Sequence, residues 1–222
     1  MASDFIICDD MDQFKLPIGR LVWEDLFVPR SFKDKITGLP TAPKYSISIA
    51  WAKDEMPAVT AVIDAAIGRL MAQPGFPKYA CLKGGGKEAK LLESGVSADQ
   101  IETFNRKLVY EHDLDRDPHL DGYVLLKANA NEKSVPAVVG PNGMKDKITS
   151  DRKEEIYRGC YGIALVTLGY HKSAKQLYYK IKGFQKVKNG EPISSNSSQV
   201  SQFESFASPS AAQEAFGSQE EI

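Results

Sequence analysis

The chain has 222 residues, 42% of them hydrophobic, with 28 Lys or Arg against 29 Asp or Glu for a formal charge of -1, the make-up of a soluble globular protein with one sizeable core. Cys8, Cys81 and Cys160 are odd in number and far apart, and none forms a CxxC pair or stands at zinc spacing from His112, His119 or His171, so neither a disulfide framework nor a structural zinc site is suggested. No segment approaches the length of a membrane span, and MASDFIICDDMDQF is acidic where a signal peptide needs basic residues, so an intracellular protein is expected.

In chain order, residues 1–18 carry no clear period and read as a lead-in. Gly19 to Arg30, GRLVWEDLFVPR, reads as a strand that ends or bulges at Pro29, with Leu21, Trp23 and Phe27 as packing residues. The stretch SFKDKITGLPTAP is long for a hairpin and suits a binding loop or a mobile connection. In the next strand Tyr45, Ile47, Ile49 and Trp51 alternate with Ser46, Ser48 and Ala50, giving one core face and one small, polar face. Pro57 then opens an amphipathic helix, in which Val59, Val62, Ile63, Ala66, Ile67, Leu70 and Met71 recur at helical spacing until Pro74 and Gly75.

Residues 75–97 read as a loop, and a second helix is expected over Ala98 to Leu108, capped by Ser97 or Asp99. The acidic run EHDLDRDPHLDG leads into a strand from Tyr123 to Ala130, followed by a short strand near Val135 to Val139 and a turn at Pro141-Asn142-Gly143. Tyr157 to Tyr170 is rich in β-branched and aromatic residues and reads as a buried strand that forms a hairpin with Leu177 to Lys188. From Asn189 onward the composition turns to Ser, Gln, Ala, Gly and Glu, too poor in apolar surface to offset its ordering entropy, so residues 190–222 are expected to be a disordered tail.

The last hairpin carries the main functional signal. Strict alternation along LYYKIKGFQKVK puts Tyr178, Lys180, Lys182, Phe184, Lys186 and Lys188 on one face, interleaving ammonium groups with rings as a surface must to follow a phosphodiester backbone and stack unpaired bases. An edge strand whose lysines deter pairing between molecules has the same pattern. Residues 151–190 hold nine cations against Asp151, Glu154 and Glu155. After Lys188 there are five glutamates and no cation, so the body carries +4 and the tail is purely acidic.

Other motifs fail on inspection. Gly84-Gly85-Gly86-Lys87 lacks the flanking Gly and Ser or Thr of a phosphate loop, with Cys81 and Glu88 in those places. Asp113, Asp115 and Asp117 have calcium-loop spacing, but Pro118 and Val124 stand where that loop needs Gly and Glu. Glu111, Asp113, Asp115, Asp117 and Asp121 leave a metal-dependent nuclease conceivable, against the plainer reading of a solvated acidic loop. No nucleophile, GxSxG or HExxH motif points to an enzyme, and no cofactor is expected.

Strands with a helix between the early ones and a long closing hairpin fit a mainly β fold, a five-stranded oligonucleotide-binding barrel with inserted helices. Taken together, GRLVWEDLFVPR, KYSISIAW, MPAVTAVI, DGYVLLKANANEKSVPAVV, IYRGCYGIALV and FQKVKNGEPI resemble the single-stranded DNA-binding proteins of tailed phages, with distant similarity to the T7-type replication protein of that class. The resemblance runs from about Gly19 to Ile193. It implies such a barrel over residues 19–189, coating of single-stranded DNA during phage replication, recombination and repair in the cytoplasm of the infected bacterium, and a tail that recruits partner proteins. Carried onto this chain, that tail includes Glu214, Phe216, Glu220, Glu221 and Ile222, and it ends on Ile222 where the usual form ends on an aromatic.

From the alternation, Tyr178, Phe184 and Tyr170 are the expected stacking platforms and Arg158, Lys172, Lys180, Lys182 and Lys186 the phosphate contacts, with Tyr123 and Lys127 extending the groove. Trp23, Tyr45 and Trp51 are assigned to the core because they share faces with aliphatic residues. The protein is expected to act as a monomer or homodimer. Two rival readings remain, the nuclease and an interaction scaffold that works through its tail.

Overall fold

The computed structural model describes residues 5–7, 12–33, 38–76, 86–95, 97–98, 106–115, 117–171 and 176–193. Among them nine strands join in one sheet: β1 (Phe5–Ile7), β2 (Phe14–Lys15), β3 (Gly19–Arg30), β4 (Lys44–Ala52), β5 (Leu108–Val109), β6 (Tyr123–Asn131), β7 (Ala137–Val139), β8 (Tyr161–His171) and β9 (Gln176–Lys188). Helix α1 (Met56–Met71) follows β4, and helix α2 (Gly86–Glu93) precedes β5.

Five strands close on themselves. β3 pairs antiparallel with β4 and β4 with β6, β6 runs parallel to β9, β9 pairs antiparallel with β8, and β8 returns to β3 at Gly19 and Arg20. This is the five-stranded barrel the strand pattern suggested, and closure leaves its central strands without free edges. The remaining strands decorate it: β1 and β2 lie on β8, β5 on β6, and β7 on β9. Part of the lead-in is therefore built into the sheet, with Phe14 and Leu16 buried.

Inside the barrel, Leu21, Ile47, Ile49, Trp51, Val124, Leu126, Ala128, Ala164, Val166, Ile181 and Phe184 are buried together. Helix α1 starts with Pro57 in its first turn and buries Met56, Val59, Ile63, Ala66, Ile67 and Leu70 in the same core. Its outer flank is held by Asp64, which accepts hydrogen bonds from Arg106 Nε at 2.8 Å and Nη2 at 2.7 Å. Tyr45 and Trp51 pack in the core as the alternation indicated.

Two bulges break that alternation elsewhere. In β3 the register passes from Leu21 opposite Ile49 to Trp23 opposite Ser48, so Val22 is an extra residue. In β9 it passes from Ile181 opposite Val166 to Gly183 opposite Leu165, so Lys182 is extra. One inserted residue moves every later side chain to the other face. Trp23 consequently leaves the core face, while Phe184, opposite buried Ala164, enters it. A further irregularity between Lys186 and Lys188 returns Lys188 to the exposed side.

The stretch expected as loop over 75–97 contains α2, in which Gly86 and Lys87 form the first turn. The second expected helix lies mostly outside the described residues, and its last position, Leu108, instead begins β5.

Candidate nucleic-acid interface

The outer faces of β3, β4 and β6 form a cleft of about 1000 Å³. Its shape follows from residue size. Across the three strands the register aligns Arg20, Ala50 and Leu125 in one row, Trp23, Ser48 and Lys127 in the next, and Asp25, Ser46 and Asn129 in the third. Short side chains on the central strand between longer ones on its neighbours make a trough, floored by the small face of the Tyr45 to Trp51 strand. The third row continues onto β9, where Lys180 is the cross-strand partner of Asn129.

Trp23 is fixed from two sides. Its indole Nε1 donates to Asp25 Oδ2 at 2.9 Å, an oxygen that also accepts from Ser46 Oγ at 2.9 Å, while Arg30 Nε lies 2.7 Å from Asp25 Oδ1. The Arg158 guanidinium carbon sits 3.8 Å from the centroid of the Trp23 ring, a cation-π contact that holds the charge at the cleft wall. Phe32, on the connection between β3 and β4, is 50% exposed and also lines the cleft. Its backbone is pinned there, because Phe32 N donates to Thr41 Oγ1 at 3.1 Å and Thr41 N donates to Phe32 O at 2.7 Å.

The acidic run supplies the opposite rim through Asp117, Pro118, His119 and Leu120. Burial pushes the His119 imidazole below its ordinary value; Asp117 opposes that shift, and the positive charges of Arg20 and Arg158 add to it. The lowered value favours the neutral imidazole at this rim. The cleft thus combines Arg20, Lys127 and Arg158 with the rings of Trp23 and Phe32, cations for phosphates beside faces for bases.

Of the residues singled out from sequence, Lys127 and Arg158 line this cleft. Tyr123 lies half-buried on the same outer face of β6, packed against the cluster of Ala50, Leu120 and Leu125. Lys180 and Tyr178 are half-buried on β9, and the Tyr178 ring lies over the backbone of Gly169, where any Cβ would meet it at 2.2 Å. Lys182 is half-buried at the bulge.

Three expectations are corrected. Phe184 is 2% exposed and packs inside the barrel, because the bulge at Lys182 reverses the strand's phase, so it offers no open face to a base. Tyr170 is 1% exposed, covered by Phe76 with ring centroids 5.2 Å apart. Lys186 is turned inward by the same reversal, donates to Glu155 O at 2.6 Å and sits 5.0 Å from the Tyr157 ring centroid. Lys172 and the tail residues Glu214, Phe216, Glu220, Glu221 and Ile222 lie outside the described residues.

Sequence reasoning missed Arg20, Trp23, Phe32 and Asn129. The available signal was the Ser46, Ser48, Ala50 alternation, since a strand with small residues on its open face leaves room over it. Among the described residues no three His, Cys, Asp or Glu side chains gather to hold a metal ion, and no helix is long and apolar enough to cross a membrane.

The model of one protein family, described as Enterobacter phage Enc34, ssDNA-binding protein, matches residues 14–216. Among solved structures, a C-terminal truncation of the single-stranded DNA-binding protein from bacteriophage Enc34 has a TM-score of 0.54 at 19% identity, covering 87% of this chain and 99% of that one. The same phage's protein in complex with ssDNA has a TM-score of 0.51 at 19% identity, covering 87% of this chain and 100% of that one. The single-stranded DNA-binding protein of bacteriophage T7 is more distant, with a TM-score of 0.44 at 13% identity over 87% of this chain and 96% of that one. No curated protein sequence matches the chain significantly.

Proposed function

The chain belongs to the family of Enterobacter phage Enc34 single-stranded DNA-binding proteins, and on that footing we propose that it coats single-stranded DNA with little sequence preference, holding it in the cleft over β3, β4 and β6. The observation that carries this reading is the meeting of Trp23 and Phe32 with Arg20, Lys127 and Arg158 over a floor of small residues on a closed barrel. Cations neutralise phosphates whatever the sequence, and a ring accepts the face of any base. Unpaired strands are preferred because a duplex hides those faces, and among the described residues no α-helix lines the cleft to read a major groove.

In this reading the protein binds and does not catalyse, and it works in phage replication, recombination and repair in the cytoplasm of the infected bacterium, as a monomer or homodimer. The binding unit begins ahead of Gly19 and reaches Ile193, since β1, Phe14 and the segment up to Ile193 join or pack on the barrel. The acidic residues beyond it recruit phage replication or recombination proteins.

Fluorescence anisotropy with labelled oligothymidine and a matched duplex, repeated over a salt series, tests the reading. Engagement of Arg20, Lys127, Arg158 and Lys180 gives a log K against log salt slope of about -2 to -3 at roughly -0.7 per phosphate, with the single strand strongly preferred. Salt-insensitive binding, or equal affinity for the duplex, would refute it.

A further inference from the structure

The chain leaves β9 by crossing one end of the cleft, and four hydrogen bonds tie this crossing to the cleft's arginines and their neighbour. Tyr157 Oη donates to Gly190 O at 3.0 Å and lies 3.2 Å from Gly190 N, which donates back to it. At the next residue Arg20 Nη2 donates to Glu191 O at 3.2 Å, and two residues further Ile193 N donates to Arg158 O at 2.9 Å. Glu191, Pro192 and Ile193 line the cleft beside those arginines.

The surroundings are shaped to admit this strap. Gly159, next to Arg158, has φ 107°, and a Cβ there would lie 2.0 Å from Glu191 O, so only glycine lets the strap close. The Tyr157 ring is itself steadied by the Lys186 ammonium 5.0 Å from its centroid, which is the use the structure makes of that inward lysine.

We infer that Tyr157 is a positioning residue for DNA binding, acting through the strap from Gly190 to Ile193 to hold the Arg20 guanidinium and the Arg158 backbone in place before the strand arrives. The inference rests on the cleft being the DNA site. An arginine that must be immobilised on binding loses rotamer freedom at that moment, and one already held loses less. Tyr157 lies outside the cleft lining, so it acts on the cleft indirectly, with the strap as its hydrogen-bonded link to Arg20.

The test uses the full-length chain and Tyr157→Phe, which keeps the ring beneath Lys186 and removes only the hydroxyl that grips Gly190. Oligothymidine titrations over a salt series, well below the melting temperature, should show about five-fold weaker binding at low salt, as expected for loosened charge-assisted contacts. They should also show a salt slope shallower by about 0.7 to 1.4, the share of one or two phosphates. Gly159→Ala, which drives the strap away by another route, should lower the slope in the same way. A merely structural role for Tyr157 would lower the melting temperature and leave the slope unchanged. Wild-type slopes in both variants overturn the inference while the cleft reading stands; failure of the wild type to bind any single strand overturns the cleft reading and this inference with it.

Discussion

Phe184 and Thr167 show how far a side chain's role depends on the face it meets. Phe184 is a core residue, so Phe184→Ala should cost about 3–5 kcal/mol of stability in urea denaturation, the cost of removing a buried ring, instead of selectively weakening DNA binding. Thr167 is fully buried, and its Oγ1 has no hydrogen-bond partner among the described residues. Thr167→Val keeps the shape and removes the orphan hydroxyl, so it should stabilise the protein by about 1 kcal/mol, read as a raised denaturation midpoint with unchanged slope. Glu24 gives a pH signature. Burial raises its carboxyl above the ordinary value of 4.5, so folding favours the protonated form; the associated stability is present below pH 4.5 and is lost as the pH rises through the folded value. Glu24→Gln, neutral throughout, should be more stable than wild type at pH 7, with that advantage gone at pH 4.

Bulges at Val22 and Lys182 decide which strand faces do what. Deleting Lys182 would restore strict alternation and turn Phe184 toward solvent, so that variant should lose cooperative thermal unfolding in circular dichroism, whereas Lys182→Ala should retain it. The same bulges mark the limit of what the sequence made legible. β3, β4, β6, β8, β9 and α1 could be read because each keeps a period for most of its length, and the small face of β4 was visible as Ser46, Ser48 and Ala50. A bulge leaves composition and local pattern nearly untouched, so counting by two carries every later residue onto the wrong face. That is why Trp23 was expected in the core and Phe184 outside it. Lys127 was legible because β6 runs without interruption; Phe32 was not, because it sits on a connection with no period of its own. Barrel closure through the short pairing at Gly19 and Arg20 leaves no signature in either strand.

At the scale of the whole molecule, near-neutral net charge conceals a basic body and an acidic tail, and the barrel concentrates the useful cations beside two rings on one face. Phe32→Ala should weaken oligothymidine binding by about 1–3 kcal/mol in anisotropy titrations, the value of one stacked base, with little change in melting temperature because the ring is half exposed. The most direct test of where the strand lies is ultraviolet crosslinking of oligothymidine to the full-length protein, with the modified residues located by peptide mass spectrometry. The account predicts adducts at Trp23 and Phe32, lost when unlabelled single strand competes and kept when duplex is added. Adducts confined to β9 or α1, with Trp23 and Phe32 unmodified, would contradict it.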